Sequence, residues 1–257
     1  MVLVTRPSSQ AGRLSRRLED VGATVLEIPT IRLLPPDDRR PLLQAARSVE
    51  SYDWVLFSSA NGVQAFVGVL EEVGSGAEAL RGVCTAVIGP ATASALRGTG
   101  IEPDVMPASY RAEGLAEAVI EQLGDPRATE QRILLPRASG ARRILPLTLR
   151  LHGAKVDEVI AYRAVSADEE RARLRAALRS GVDWITFTSS STVRSFVELS
   201  GGELRGARLA AIGPITARTA RDAGLEVAAI AEMFTSEGLV EALVRTERRD
   251  ETDGAPE

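Results

Sequence analysis

Residues 53–66, DWVLFSSANGVQAF, return at 183–196 as DWITFTSSSTVRSF. In each copy a Trp-led apolar run of strand length is followed by a polar turn and then by apolar residues at helical spacing, so the unit reads as strand, turn, helix. The echo continues without a gap from 87–119 to 211–243, where Gly89, Pro90, Thr92, Glu113 and Gly114 meet Gly213, Pro214, Thr216, Glu237 and Gly238. A weaker match pairs 2–33 with 133–164 and aligns Arg6, Gly22 and Glu27 with Arg137, Gly153 and Glu158. A long repeat seen only twice does not suit a solenoid, which needs three or more short units to bury its faces. It predicts two similar lobes facing each other across a cleft.

Apolar β-rich runs alternate with helical patterns along the whole chain, which predicts an α/β protein with parallel sheets. Strands are expected at 2–5, 23–28, 54–57, 85–88, 132–135, 154–159, 184–187 and 208–212. Val63, Phe66, Val67, Leu70 and Val73 form one apolar stripe behind the SSANG turn, and Leu14, Leu18 and Val21 form another ahead of Gly22. Glycines 74, 100, 124, 153 and 224 stand where further helices would close. Pro146 falls where the repeat predicts helix, so that helix starts near Leu145 or kinks. Prolines 29, 35, 36 and 41 make 29–41 an extended connector rather than a helix. The charged stretch from Thr246, TERRDETDGAPE, is expected to be disordered.

Composition removes several function classes. The 257 residues are 44% hydrophobic and 26% charged, as in an ordinary globular protein. No run of about 18 apolar residues is present to span a membrane, and MVLVTRPSS lacks the basic start and long apolar core of a secretion signal. A cytoplasmic location is expected. A net charge of −4 supplies no global field for nucleic acid. A single cysteine, Cys84, excludes an internal disulfide, and a single histidine, His152, excludes His-rich metal sites and most triad chemistry. Cys84, in the run CTAVI, is expected to be a small buried residue; His152, just before Gly153, reads as a helix C-terminal cap. Neither GxGxxG, nor a P-loop, nor GxSxG, nor a metal-ligand pair occurs, which points to a cofactor-free protein.

In open parallel sheets, ligands bind beyond the carboxyl ends of the strands. The repeated polar phrases stand there. Ser58, Ser59 and Asn61 follow WVLF, and Thr188, Ser189, Ser190, Ser191 and Thr192 follow WITF. Gly-Pro-x-Thr follows both TAVI and LAAI, while Arg6 and Arg137 end VLVT and RILL. Hydroxyls and free amides at helix starts make an anion site even in an acidic protein. Any one of these serines or threonines is also what an N-cap requires, and Glu113 and Glu237 read as capping-box acids. Their clustering on one sheet edge in both lobes makes the set a ligand candidate.

Taken in order, VLVTRP, DWVLFSSANGV, VIGPATASAL, RILLPRASG, LHGAKVDEVIAYRAV, DWITFTSSSTV, AIGPITARTA and FTSEGLVEAL resemble the uroporphyrinogen-III synthase family from about residue 2 to 244. The resemblance implies two flavodoxin-like lobes with exchanged segments, 1–34 with 165–257 and 38–158, joined by a two-stranded β connector at 28–37 and 158–165. It implies a linear tetrapyrrole substrate, hydroxymethylbilane, cyclised to uroporphyrinogen III with loss of water and inversion of the D ring. The implied substrate-binding residues are Ser58, Ser59, Thr92, Ser189, Ser190 and Thr216, with Arg6 and Arg137. Tyr162 is the implied donor to the departing hydroxyl, against the plainer reading of a packed connector residue. The fused methyltransferase or DNA-binding domains of some members are not expected beside this tail. No nucleic-acid or membrane partner is expected, and the internal duplication favours a monomer. The alternative is a two-lobed sensor of a small anionic metabolite; a sugar or nucleotide transferase would need a metal or phosphate motif that is missing.

Overall fold

The computed structural model describes residues 1–123 and 131–253. The chain opens with β1 (Val2–Val4), α1 (Ser8–Asp20), β2 (Val25–Glu27), β3 (Ile31–Leu34) and α2 (Arg40–Arg47). It continues through β4 (Trp54–Phe57), α3 (Ala60–Glu72), β5 (Cys84–Val87), α4 (Pro90–Arg97), α5 (Ala112–Leu123), β6 (Arg132–Ala138), α6 (Ile144–Leu151) and β7 (Lys155–Ser166). It ends with α7 (Arg171–Ser180), β8 (Trp184–Phe187), α8 (Ser190–Ser200), β9 (Arg208–Ala211), α9 (Pro214–Asp222), β10 (Ala229–Ile230) and α10 (Ser236–Asp253).

Met1–Leu33 with Ala164–Glu257 form one compact unit, and Leu34–Arg163 form a second. The first unit holds a sheet of order β10-β9-β8-β1-β2 with every neighbouring pair parallel. Numbered along the unit, this is the order 2-1-3-4-5, whose reversal between its first and third strands opens a crevice at their carboxyl ends. The other sheet reads β3-β7-β6-β4-β5, and its run β7-β6-β4-β5 repeats the first four places of that order. The fifth place is reduced to one parallel bridge between Ala86 and Val105, where the repeat sets Ala210 against Ala229.

Each sheet is buried on both faces, which is why its strands are continuous apolar runs rather than alternating ones. The register sets Val2 beside Trp184 and Leu3 beside Ile185, and successive residues point to opposite faces. Leu3, Ile185, Phe187 and Leu209 therefore pack with Leu174, Leu178 and Phe196. Val2, Val4, Trp184 and Ala210 pack on the other side with Leu14, Leu18, Leu239 and Leu243. The second unit does the same, with Val55, Phe57 and Leu134 against Phe66 and Leu70, and Trp54, Leu56, Ile133 and Leu135 against Leu115 and Leu149. Burial of each large apolar side chain stabilises by about 1.5–3 kcal/mol.

All eight expected strands form, and β3 and the two-residue β10 join them. Pro146 is the third residue of α6, inside the first turn where its missing N–H is not needed, so the helix starts late instead of kinking. Pro41 is likewise the second residue of α2, so the extended segment ends before it. Gly22 and its repeat counterpart Gly153 reverse the chain at φ +85° and +87°; Gly124 lies outside the described residues. His152 follows α6, with Nδ1 3.3 Å from the Thr148 carbonyl.

Two expectations are corrected. Cys84 is exposed, because it is the first residue of an edge strand whose burial begins only at Thr85. Partial desolvation and the carboxylates of Asp104 and Asp53 hold its thiol above the ordinary range, which disfavours the reactive thiolate. The charged stretch from Thr246 is helical to Asp253. Glu247 accepts from the Trp184 indole N–H and pairs with Arg208 at 3.1 Å, contacts that no local pattern reveals. Residues 254–257 lie outside the described residues.

Candidate functional site

In the second unit the turn after β4 carries Ser58 and Ser59. Ser59 is extended (φ −167°, ψ 152°), and its Oγ accepts the Gly62 amide at 3.1 Å, capping α3. The same Oγ lies 3.1 Å from the Tyr162 hydroxyl. A bulge in the β6–β7 register brings Tyr162 there: Arg137 pairs with Ile160, but Ala138 pairs with Tyr162. The consecutive residues Ala161 and Tyr162 consequently pack against the same core. The Ser58 hydroxyl is half-buried and makes no hydrogen bond with a described residue. Thr92, in the first turn of α4, is 3% exposed, and its hydroxyl is likewise unengaged among the described residues.

Arg137, near the carboxyl end of β6, is engaged inside its own unit. It is buried, pairs with Glu158 and donates from Nη2 to the Arg142 carbonyl at 2.8 Å. Arg150 reaches Glu158 from the other side at 2.7 Å. Burial pushes the Glu158 carboxyl up, but hydrogen bonds and charge from Arg150 and Arg137 outweigh it and leave the group below its ordinary range.

In the first unit Ser189 repeats the capping role, accepting the Thr192 amide at 3.2 Å. Its Oγ is 2.8 Å from Ser191 Oγ, and Ser190 Oγ is 2.7 Å from Thr219 Oγ1 on α9. The first unit contains no tyrosine, and the repeat counterpart of Tyr162 within it is the buried Ile31. Thr216 is 5% exposed with its hydroxyl unengaged among the described residues. Arg6 is half-buried and donates from Nη1 to Ser236 Oγ at 3.3 Å. Its Nε is buried with no partner, and burial lowers the guanidinium pKa. Ser191 also lines a concavity with Arg32, Arg194, Ser195 and Glu198 that no sequence motif marked.

The residues matched between the repeats divide between ligand candidates and scaffold. A side chain at Gly89 would press on Tyr110 at 3.1 Å, and one at Gly213 on Phe234 at 3.0 Å. At Gly114 and Gly238 it would strike Ser109 at 2.0 Å and the Met233 carbonyl at 2.2 Å. Glu237 does not form a capping box, which needs the acid at the third helical position. It is second in α10 and pairs with Arg13 at 2.6 Å and Arg17 at 2.7 Å, while Thr235 Oγ1 accepts the Gly238 amide at 3.1 Å. Burial raises the Glu237 carboxyl, but its own amide and Arg13 outweigh this and hold it low. Among the described residues no group of three or more His, Cys, Asp or Glu could hold a metal ion, and no helix is long and apolar enough to cross a membrane.

Both units thus set hydroxyl-bearing helix starts at the carboxyl ends of a parallel sheet of one strand order, which defines a two-unit α/β protein of doubly wound type. The chain belongs to the uroporphyrinogen-III synthase family: the family model described as Uroporphyrinogen-III synthase HemD matches residues 12–241. It is 32% identical to the uroporphyrinogen-III synthase of Synechococcus elongatus over 96% of both chains. In fold it is similar to a crystal structure of mutant uroporphyrinogen III synthase from Thermus thermophilus, at TM-score 0.65 and 19% identity, covering 96% of this chain and 98% of that one. It is also similar to uroporphyrinogen-III synthetase from Helicobacter pylori, at TM-score 0.63 and 17% identity, covering 95% and 98%.

Proposed function

We propose that the chain cyclises hydroxymethylbilane to uroporphyrinogen III, with loss of water and inversion of the D ring. The observation that carries this reading, in a chain of this family, is the Tyr162 hydroxyl held 3.1 Å from Ser59 Oγ at the end of β4. The bilane's terminal hydroxyl is pushed out by the pyrrole nitrogen as it takes a proton, so the C–O bond breaks and water leaves an azafulvene. The substituted carbon of the D ring attacks that azafulvene and forms a spiro-pyrrolenine. Cleavage of the older ring–methylene bond regenerates an azafulvene on the neighbouring ring, and the D ring's other, unsubstituted α carbon attacks it to close the macrocycle. Loss of a ring proton then restores the pyrrole and balances the proton spent on water.

Tyr162 supplies the first proton, and Ser59 orients the phenol. An unassisted bilane closes the easier way to the uninverted isomer, so the protein's main task is shape. Orientation can contribute about 7–11 kcal/mol. The unengaged hydroxyls of Ser58, Thr92 and Thr216 donate to substrate carboxylates. Amides at the starts of α3, α4, α8 and α9 add to them, with Ser189 and Ser190 fixing the start of α8. Composition and the internal duplication support a cofactor-free monomer in the cytoplasm. Purified protein given hydroxymethylbilane should yield the type III isomer in excess. Formation of the uninverted isomer alone overturns the reading, and binding without turnover favours an anion sensor.

A further inference from the structure

We propose that Arg6 binds a side-chain carboxylate of the substrate and that its repeat counterpart Arg137 does not, so that one place in the repeat has taken two different roles. This rests on the function proposed above in taking a polycarboxylate as the ligand. The two arginines hold the same place in the repeat, each just after or at the end of a strand beside the reversal in strand order, β1 next to β8 and β6 next to β4. Their surroundings have diverged. In the second unit Glu158 pairs with both Arg137 and Arg150, and the Arg142 carbonyl takes a further N–H of Arg137 at 2.8 Å. The counterpart of Glu158 in the first unit is Glu27, which accepts instead from the buried Ser15 hydroxyl. The counterpart of Ser15 is Pro146, which has no donor to offer, so in the second unit the carboxylate is left to the arginines.

One exchange, serine against proline, accompanies the release of Arg6 from its carboxylate. Among the described residues Arg6 has no acidic partner: Nη1 makes a long bond of 3.3 Å to a neutral hydroxyl, and Nε has none. Holding a guanidinium half out of water without a countercharge is unfavourable, and an arriving carboxylate removes that penalty while gaining a charge-assisted bond. Nε is covered by the protein, so the carboxylate reaches the guanidinium through its Nη groups. The side chain remains charged at every working pH, although burial lowers its pKa. Arg137, by contrast, is 5% exposed and already holds a carboxylate, shared with Arg150, and a carbonyl, so it is poorly placed to take a ligand.

The test uses uroporphyrin III, the stable oxidised octacarboxylate, titrated by fluorescence into wild type, Arg6→Gln, Arg6→Lys and Arg137→Gln, with a melting curve for each. Arg6→Gln should weaken binding about tenfold or more, the loss of one charged hydrogen-bonding anchor, with melting unchanged or raised. Arg6→Lys should recover part of the affinity. Arg137→Gln should melt several degrees lower and bind within about twofold of wild type. Arg6→Gln binding as tightly as wild type overturns the proposal, and so does Arg137→Gln weakening binding as much as Arg6→Gln at a temperature where it is folded. A wild type that binds uroporphyrin III but makes no inverted isomer from hydroxymethylbilane overturns the function and leaves the division between the two arginines standing.

Discussion

The Tyr162 hydroxyl and Ser59 Oγ stand 3.1 Å apart, and Ser59 Oγ also accepts the Gly62 amide. With one acceptor position taken by the helix cap, the serine proton is free to be given to the phenol oxygen, which leaves the phenol proton for a ligand. A cap and a candidate acid therefore share one atom. Fixing the start of α3 also fixes the serine oxygen that the phenol meets.

Tyr162→Phe removes that proton and nothing else of size. The variant should lose about tenfold to a hundredfold in kcat, at or below the lower end of general-acid effects because a phenol is a weak acid. KM and melting temperature should hold. Steady-state kinetics with isomer analysis reads this out, and a loss in kcat under about threefold assigns Tyr162 to packing, since general acids contribute far more.

Ser59→Ala and Ser189→Ala separate the cap from the chemistry. Each loses the same kind of N-cap bond, worth about 1 kcal/mol, and both should melt a few degrees lower. Only Ser59→Ala should also lower kcat, because Ser189 neighbours Ser191 and Thr192 rather than a phenol. Equal activity in the two variants would remove Ser59 from the proton path.

The parallel sheets were legible because strands buried on both faces, such as WVLF and WITF, are unbroken apolar runs, and the repeat gave each a second witness. The hydroxyls at helix starts were legible for the same reason, as turns following those runs. The bulge that turns Tyr162 toward Ser59 was not, because a one-residue slip in pairing leaves no mark on hydrophobic periodicity. Cys84 misled because the apolar run CTAVI extends one residue beyond the cover of its edge strand. Arg6 and Arg137 look alike as sequence; what separates them is the residue facing a glutamate, Ser15 in one copy and Pro146 in the other.

Glu158 sets an acid limit on the second unit. Burial raises its pKa, and the bonds and charge of Arg150 and Arg137 outweigh this, so its folded value lies below the ordinary 4.5. A carboxylate depressed on folding contributes stability at pH above its unfolded value, and that contribution is lost as pH falls through the folded one. Wild type should therefore lose stability on acidification below pH 4.5, and Glu158→Gln should lose less over the same window. Denaturant unfolding as a function of pH tests this. Parallel curves for the two proteins would show that the ion pair contributes no pH-dependent stability.

Glu247 ties the charged end of α10 to the first sheet. It accepts from the indole N–H of Trp184, a side chain 2% exposed, and pairs with Arg208, whose guanidinium lies 4.2 Å from the centre of the same indole ring. Glu247→Ala leaves a buried donor unsatisfied, at about 1–3 kcal/mol, and strips Arg208 of this countercharge. The melting temperature should fall by several degrees, and tryptophan fluorescence should shift as the ring's surroundings loosen. Glu241→Ala, on an exposed face of the same helix, should change neither. Truncation after Thr246 should cost at least as much as Glu247→Ala, since it removes the carboxylate together with the helical turns that hold it. A truncated chain that melts with wild type would show that the stretch from Glu247 onward adds nothing to the fold, and that Trp184 finds another acceptor.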